Sequence, residues 1–142
     1  MIGFAVENVK MPAIDRTKVR KWLKAVALEH DGRQTGSLNY IFCDDERILQ
    51  VNNEFLGHDY YTDIITFDYS TAGKISGDMY ISLDTVLSNS QLFKTPYEKE
   101  LLRVIVHGVL HLCGINDKGP GERAVMESHE NRALDMWYNE LF

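Results

Sequence analysis

The chain has 142 residues, of which 44% are hydrophobic and 25% carry a charge. This composition is ordinary for one compact domain and argues against two independent cores. The 21 acidic residues outnumber the 15 basic ones and give a formal net charge of −6, which argues against a protein that coats nucleic acid or anionic membranes by bulk attraction. A nucleic-acid partner would therefore need a local basic patch.

The spacing of apolar residues predicts strands and helices along the whole chain, with no repeat or linker that would divide it. The first half is predicted to contain a strand at 2–6, a helix from an Asp15 cap to about residue 30, a strand at 37–45 and a helix at 46–55. The second half is predicted to contain an antiparallel hairpin of strands 63–70 and 75–83, then helices at 84–92 with an Asp84 cap, at 96–112 and at 123–140. These elements predict a single α+β domain over residues 1–142, with a mixed four-stranded sheet packed against about five helices.

The helix at 96–112 is expected to lie in the core. The last helix is amphipathic. It is expected to bury Val125, Leu134, Trp137 and Tyr138.

The start of the sequence, MIGFAVENVKMPAIDR, lacks the basic and apolar regions of a signal peptide, and no run of 18 apolar residues predicts a membrane span. Cys43 and Cys113 lie in apolar surroundings, where a thiol is typically a core residue and not a nucleophile. We therefore expect a cytoplasmic protein with free thiols and no membrane partner.

One concentrated basic face is predicted, on the outward side of the first helix. It consists of Arg16, Arg20, Lys21 and Lys24. These residues could make a few contacts with RNA phosphates, or they could form an ordinary solvated helix face.

Two histidines in the segment VIVHGVLHLCGINDKGPGE form the candidate chemical site. His107 and His111 are four residues apart on a predicted helix, so both imidazoles project from one face at a spacing that suits two ligands of one ion. Gly114 can end that helix in the left-handed region and reverse the chain, which would carry Asp117 back over the histidines. The three side chains fit H-x-x-x-H-x-x-G-x-x-[H/D], a zinc-site spacing that leaves one coordination position open.

Other interpretations of these residues remain open. The histidines could be satisfied polar groups on a buried helix, and Asp117 could be a solvated turn residue. His129 on the last helix is an alternative third ligand.

Gly108 occupies the position after the first histidine, where H-E-x-x-H zinc proteases have their glutamate base. The absence of this glutamate argues against a metzincin-like peptidase. A glycine inside a helix also indicates close approach of a substrate strand or tight helix packing.

Three blocks between Asn52 and Asp117 carry a family resemblance: NNEFLGHDYYTDIITFDYS, GDMYIS, and HGVLHLCG preceded by Arg103. Together they resemble the YbeY family of bacterial rRNA-processing proteins, small single-domain metalloproteins described as endoribonucleases. The blocks stand in the order and spacing of the family, and the flanking predicted elements fit its α+β layout.

The resemblance implies that His107 and His111 are the first two metal ligands, and it aligns Asp117 with the usual third histidine. The aspartate is one departure from the family pattern. A second is Leu56, which stands where the family commonly has an arginine that assists phosphate chemistry. Another positively charged side chain would then be needed to bind the phosphate. The candidates for this catalytic role are Arg103, one turn before His107, and His58, although Arg103 could instead form an ion pair with Glu98, Glu100 or another carboxylate.

The resemblance implies a zinc-dependent endoribonuclease that cleaves single-stranded rRNA during rRNA maturation and ribosome quality control. It also implies the small ribosomal subunit and an Era-like GTPase as partners, and another divalent transition metal would suit the same donors. A competing hypothesis is a non-catalytic ribosome assembly factor in which the metal only stabilises the loop after Gly114.

Overall fold

The computed structural model describes residues 1–140 and 142. Within that part of the chain lie four strands, β1 (Ile2–Val6), β2 (Gln34–Cys43), β3 (Ile64–Asp68) and β4 (Lys74–Ser82), and five helices, α1 (Arg16–Glu29), α2 (Asp45–Leu56), α3 (Leu83–Leu92), α4 (Tyr97–Leu112) and α5 (Glu122–Asn139). Each predicted element is present as the predicted type. None of the helices in the described residues is both long and apolar enough to cross a membrane.

The strands form one mixed sheet in the order β1-β2-β4-β3. β1 pairs parallel with β2, and β2 pairs parallel with β4. β3 and β4 form the predicted antiparallel hairpin. The predicted α+β class with a mixed four-stranded sheet is therefore confirmed.

Helix α4 lies in the core, where it packs against β3 and β4 and is surrounded by α1, α3 and α5. Two buried donors tie this layer together: Tyr40 Oη donates to the carbonyl oxygen of Ile105 at 2.7 Å, and Trp22 Nε1 donates to that of Ala133 at 2.7 Å. Helix α2 packs separately against β3 and β4, over a small cluster of buried side chains. The members of that cluster are Cys43, Ile48, Val51 and Ile65.

Both cysteines are buried and free, as their apolar surroundings predict. Burial raises the pKa of the Cys43 thiol to about 12 and that of Cys113 to about 11. A thiol that stays protonated is a poor nucleophile, so both residues are packing residues.

Two details of the predicted elements are wrong. Ser82 and not Asp84 caps α3, because the Ser82 hydroxyl accepts from the Thr85 amide while the Asp84 carboxylate accepts from Asp45. Val125 and Tyr138 are more than half exposed. The buried face of α5 is rotated from the predicted one. It contains Met126, Glu130, Ala133, Leu134, Met136 and Trp137.

Gly108 is explained by helix packing. A Cβ atom at this position would lie 2.7 Å from Met79 Sδ and 3.2 Å from Ile64 Cδ1, so the glycine lets α4 sit closely on the sheet. Of the two interpretations of this glycine, the structure favours tight packing over the approach of a substrate strand.

Gly77 on β4 is a second close approach, and it gives a stability prediction. A Cβ atom there would lie 2.5 Å from the carbonyl oxygen of Phe67, a backbone atom that the β3–β4 pairing holds in place. Overpacking typically costs about 1–3 kcal/mol, so Gly77→Ala should lower Tm by about 3–10 °C in thermal melts. Gly73→Ala is the matched control, because nothing lies within 4 Å of its Cβ position. Equal melting temperatures for the two variants would contradict this packing argument.

Candidate functional site

The chain reverses direction after α4, as the glycine at its end predicts. Gly114 has a φ of 95°, and the amides of Gly114 and Ile115 donate to carbonyl oxygens of the last helical turn at 3.0 and 3.1 Å. The returning segment brings Asp117 Oδ2 to 3.4 Å from His107 Nε2. An acidic oxygen therefore lies beside the first histidine of the motif.

The other nitrogen of His107 is held by a residue of α5. His107 Nδ1 lies 2.7 Å from Glu130 Oε2, and Glu130 is 9% exposed. The second carboxylate oxygen of Glu130 accepts from Arg103 Nη1 at 3.1 Å, and Arg103 Nη2 donates to Asn131 at 3.0 Å. Because a carboxylate only accepts, Nδ1 carries the proton in the neutral ring and the Nε2 lone pair faces Asp117.

The electrostatics around His107 favour positive charge. Burial alone would lower the pKa of His107, but the hydrogen bond that its ring donates to Glu130 and the negative charges of Glu130, Asp117 and Asp63 raise it above its ordinary value. Burial raises the pKa of the Asp63 carboxyl. It also raises the pKa of Glu100, another carboxyl nearby. The surrounding carboxylates thus favour the protonated form of the His107 ring in the metal-free protein.

Two cavities meet at this point. A cavity of about 220 Å³ is lined by His107, His111 and Asp117, and across it by His58 and Tyr60 of the α2–β3 loop. A second cavity of about 490 Å³ lies on the α5 side. Asp63, His107 and Asp117 line both cavities. The three candidate metal ligands therefore share one cavity wall.

In the described part of the chain, no three His, Cys, Asp or Glu side chains already stand in metal-binding geometry. His107 and Asp117 are close to each other, and His111 faces the same cavity from one helical turn further along α4. Coordination of one ion by all three residues would therefore need rearrangement of these side chains.

Arg103 and His58, the candidate catalytic cations, occupy different places. Arg103 forms its ion pair with Glu130, a carboxylate of another helix, and not with Glu98 or Glu100. His58 lies in the α2–β3 loop, where its ring stacks on Tyr60 and lines the smaller cavity.

The basic face of α1 lies away from both cavities. Arg20 donates to the carbonyl oxygen of Ile2 at 2.9 Å, at the β1 edge of the sheet, whereas the smaller cavity is lined by residues of β3 at the opposite edge. Arg16, Lys21 and Lys24 are exposed on the same helix.

The alternative ligand His129 is also separate from the candidate site. Its ring packs edge-on against His30 with ring centroids 5.0 Å apart. It does not line either cavity in the part of the chain that the structure describes.

Three residues of the site were missed by sequence reasoning: Glu130, Lys118 and Tyr60. Glu130 left a signal in the sequence, because it lies four residues after Met126 and four before Leu134, on the apolar face of α5. A carboxylate on a buried helix face needs a partner. Lys118 and Tyr60 line the smaller cavity through loop geometry, and no spacing rule predicts that.

Comparison with known proteins identifies the family. A family profile described as "Endoribonuclease YbeY" matches residues 4–138. A protein of Parabacteroides distasonis with that name is 60% identical over 133 residues, which is 94% of this chain and 93% of the relative. One from Bacteroides fragilis, also named Endoribonuclease YbeY, is 58% identical over 135 residues, 95% of this chain and 96% of the relative.

A solved structure agrees with the fold. The solution structure of a structural-genomics target protein from Thermotoga maritima superposes with a TM-score of 0.64 at 26% identity, covering 97% of this chain and 89% of that one. The family profile and the curated relatives both extend over nearly the whole chain. The chain therefore belongs to the YbeY family of endoribonucleases.

Proposed function

We propose that this protein is a zinc-dependent endoribonuclease that cleaves single-stranded RNA in the cytoplasm, in rRNA maturation and ribosome quality control. The names of its relatives support cleavage of RNA. The observation that carries the metal dependence is the orientation of His107, whose Nδ1 is engaged by Glu130 while Nε2 faces Asp117. Metal-bound histidines are typically held in this way, with the non-ligating nitrogen bonded to a carboxylate.

The donor set fits a zinc ion. Two imidazole nitrogens and one carboxylate oxygen are ligands that zinc accepts, and three protein ligands leave a fourth position open. The aspartate lowers the net charge of such a site from +2 to +1 compared with three neutral histidines, so bound water should be less acidic. When bound, zinc would polarise a phosphoryl oxygen and lower the pKa of a coordinated water.

The protein residues would position this chemistry. Glu130, itself held by Arg103, orients the His107 ring, and Asp117 supplies the charged donor. Leu56 lines the same cavity and cannot bind phosphate, whereas Lys118 offers an ammonium group there. We assign the phosphate contact of this site to Lys118, a role that the family commonly gives to an arginine at the Leu56 position.

The chain carries a net charge of −6 and does not attract RNA by bulk charge, so substrate delivery by partners is part of the proposal. We propose that the small ribosomal subunit and an Era-like GTPase bring the rRNA end to the cavity. The exposed Arg16, Lys21 and Lys24, with Arg20, would then contact rRNA phosphates at the opposite edge of the sheet.

The proposed function is tested by metal content and turnover measured together. Wild-type protein purified without chelator should contain about one zinc per chain and cleave a short single-stranded RNA over many turnovers. His111→Ala should lose both, because it removes one of three ligands. His129→Ala is the matched control, since that histidine packs against His30 outside the cavities. Equal cleavage by wild type and His111→Ala would contradict the proposal.

A non-catalytic assembly factor is the second candidate function. It is favoured by Leu56, which stands where an arginine would bind phosphate. In that case wild type would bind zinc and melt at a higher temperature with it, but would not turn over RNA. A peptidase is disfavoured, because Gly108 stands where a glutamate base is needed and is packed against Met79.

A further inference from the structure

The loop between α2 and β3 places aromatic rings beside the candidate metal ligands. His58 and Tyr60 line the cavity that also contains His107, His111 and Asp117. Tyr60 is 52% exposed although it belongs to a cavity wall. Tyr60 therefore has ring surface that a ligand in this cavity can reach.

The two rings are held in a fixed arrangement. Their centroids are 5.1 Å apart with an angle of 18° between the planes, and Tyr60 Oη lies 3.0 Å from His58 Nδ1. The loop is anchored at Asn52, a buried residue of α2. Its side-chain amide donates to the carbonyl oxygen of Tyr60 at 2.9 Å, and its backbone carbonyl accepts from the amide of His58 at 3.1 Å. The stacked arrangement is therefore present in this structure and tied to α2.

An ordered pair of stacked rings with an open face is suited to a flat aromatic ligand. Unpaired RNA bases stack on tyrosine and histidine in this way, and the interaction tolerates any base. Lys118 lines the same cavity and can contact a phosphate of the same strand. A cavity lined by both aromatic rings and an ammonium group offers contacts for the bases and for the phosphates of a single strand.

We propose that the His58–Tyr60 pair is a stacking site for one base of the RNA substrate, next to the phosphate at the candidate metal centre. This inference rests on the proposed endoribonuclease function and adds to it a contact for an unpaired base. It gives His58 a role as a stacking surface, where sequence reasoning placed a catalytic cation. A paired base cannot offer its face to a protein ring, so the site selects single-stranded RNA.

The test combines changes in the protein with changes in the RNA. The probe is a short fluorescent single-stranded RNA, compared with a series in which one base at a time is replaced by an abasic ribose. Binding is measured by anisotropy on the full chain with chelator present, so that the strand stays intact, and turnover is measured with zinc. The variants are Tyr60→Leu, Tyr60→Phe, and Tyr69→Leu as a control, since Tyr69 is 61% exposed but does not line the cavity.

Tyr60→Leu should weaken binding of the intact RNA by about 5- to 100-fold. Tyr60→Phe keeps the ring and should stay close to wild type, as should Tyr69→Leu. One abasic position should weaken binding to wild type by a similar factor and have little further effect on Tyr60→Leu, because both changes remove the same contact.

Two results would overturn the stacking site. One is wild-type binding that is indifferent to every abasic position, and the other is Tyr60→Leu binding that equals Tyr69→Leu binding. If either occurs while wild type still turns over RNA, the stacking site fails and the proposed function stands. If wild type neither binds nor cleaves the RNA, both are overturned.

Discussion

Asp117→Ala is expected to weaken zinc binding by at least about a hundredfold. Structural sites with four ligands bind zinc with a free energy of about 10–16 kcal/mol, or about 3 kcal/mol per ligand. Each loss of about 1.4 kcal/mol raises the Kd tenfold. The loss should be large here because Asp117 supplies the one charged oxygen among the three candidate ligands. RNA cleavage should fall with the metal. Competition against a chromophoric chelator measures the affinity, and elemental analysis measures the content.

Asp117→His and Asp117→Asn separate coordination from structure. Histidine restores the three-histidine spacing usual in the YbeY family, so this variant should keep zinc. Asparagine keeps the shape of the side chain but loses its charge, and it should bind zinc weakly while the metal-free protein melts like wild type. Asp117 is only partly buried, so none of the three variants should prevent folding. Full zinc content in Asp117→Ala would show that another donor completes the site.

The secondary structure was predictable because its signals are local. Leu38, Tyr40 and Phe42 alternate along β2 and are all fully buried, and Asp15 caps α1 as its position suggests. The error on α5 has a physical origin, since Val125 and Met126 are both apolar but point in directions about 100° apart around the helix, and the core covers only Met126. Packing against α4 selects Met126, and that choice is not encoded in the periodicity of α5.

The part of the candidate site that is formed by residues close together in the sequence was predictable. The four-residue spacing of His107 and His111 sets their shared helix face, and Gly114 allows the reversal that brings Asp117 close. The partner of Arg103 was not predictable, because Glu130 lies 27 residues further along the chain and reaches it through helix–helix packing. The position of the His58–Tyr60 pair was not predictable either, because it depends on the hydrogen bond from the Asn52 side chain to the Tyr60 carbonyl oxygen.

Glu130→Ala should weaken zinc binding by about 10- to 100-fold, the range typical for removing a residue that orients a metal-bound histidine. The reason is geometric and electrostatic: the 2.7 Å contact fixes the His107 ring and makes Nε2 a better donor. Glu127→Ala is the matched control, because it removes an exposed carboxylate three residues earlier on the same helix. Chelator competition on the purified variants measures both affinities.

Arg103→Met tests whether Arg103 acts through Glu130. Arg103 contacts Glu130 and Asn131, so its loss should weaken zinc binding less than Glu130→Ala does. The double variant should bind zinc about as well as Glu130→Ala alone, because the two residues act in series. Additive losses would indicate that Arg103 contributes to the metal site independently of Glu130.

The metal-free protein gives a second readout for Glu130. Burial lowers the pKa of His107, and the hydrogen bond and charge of Glu130 are the largest influences that raise it. In Glu130→Ala the burial remains and these opposing influences are lost, so the pKa of His107 should fall, as measured by NMR titration of the imidazole. A purely structural role for Glu130 would change the melting temperature without moving this pKa. An unchanged pKa together with unchanged zinc affinity would show that Glu130 does not position His107.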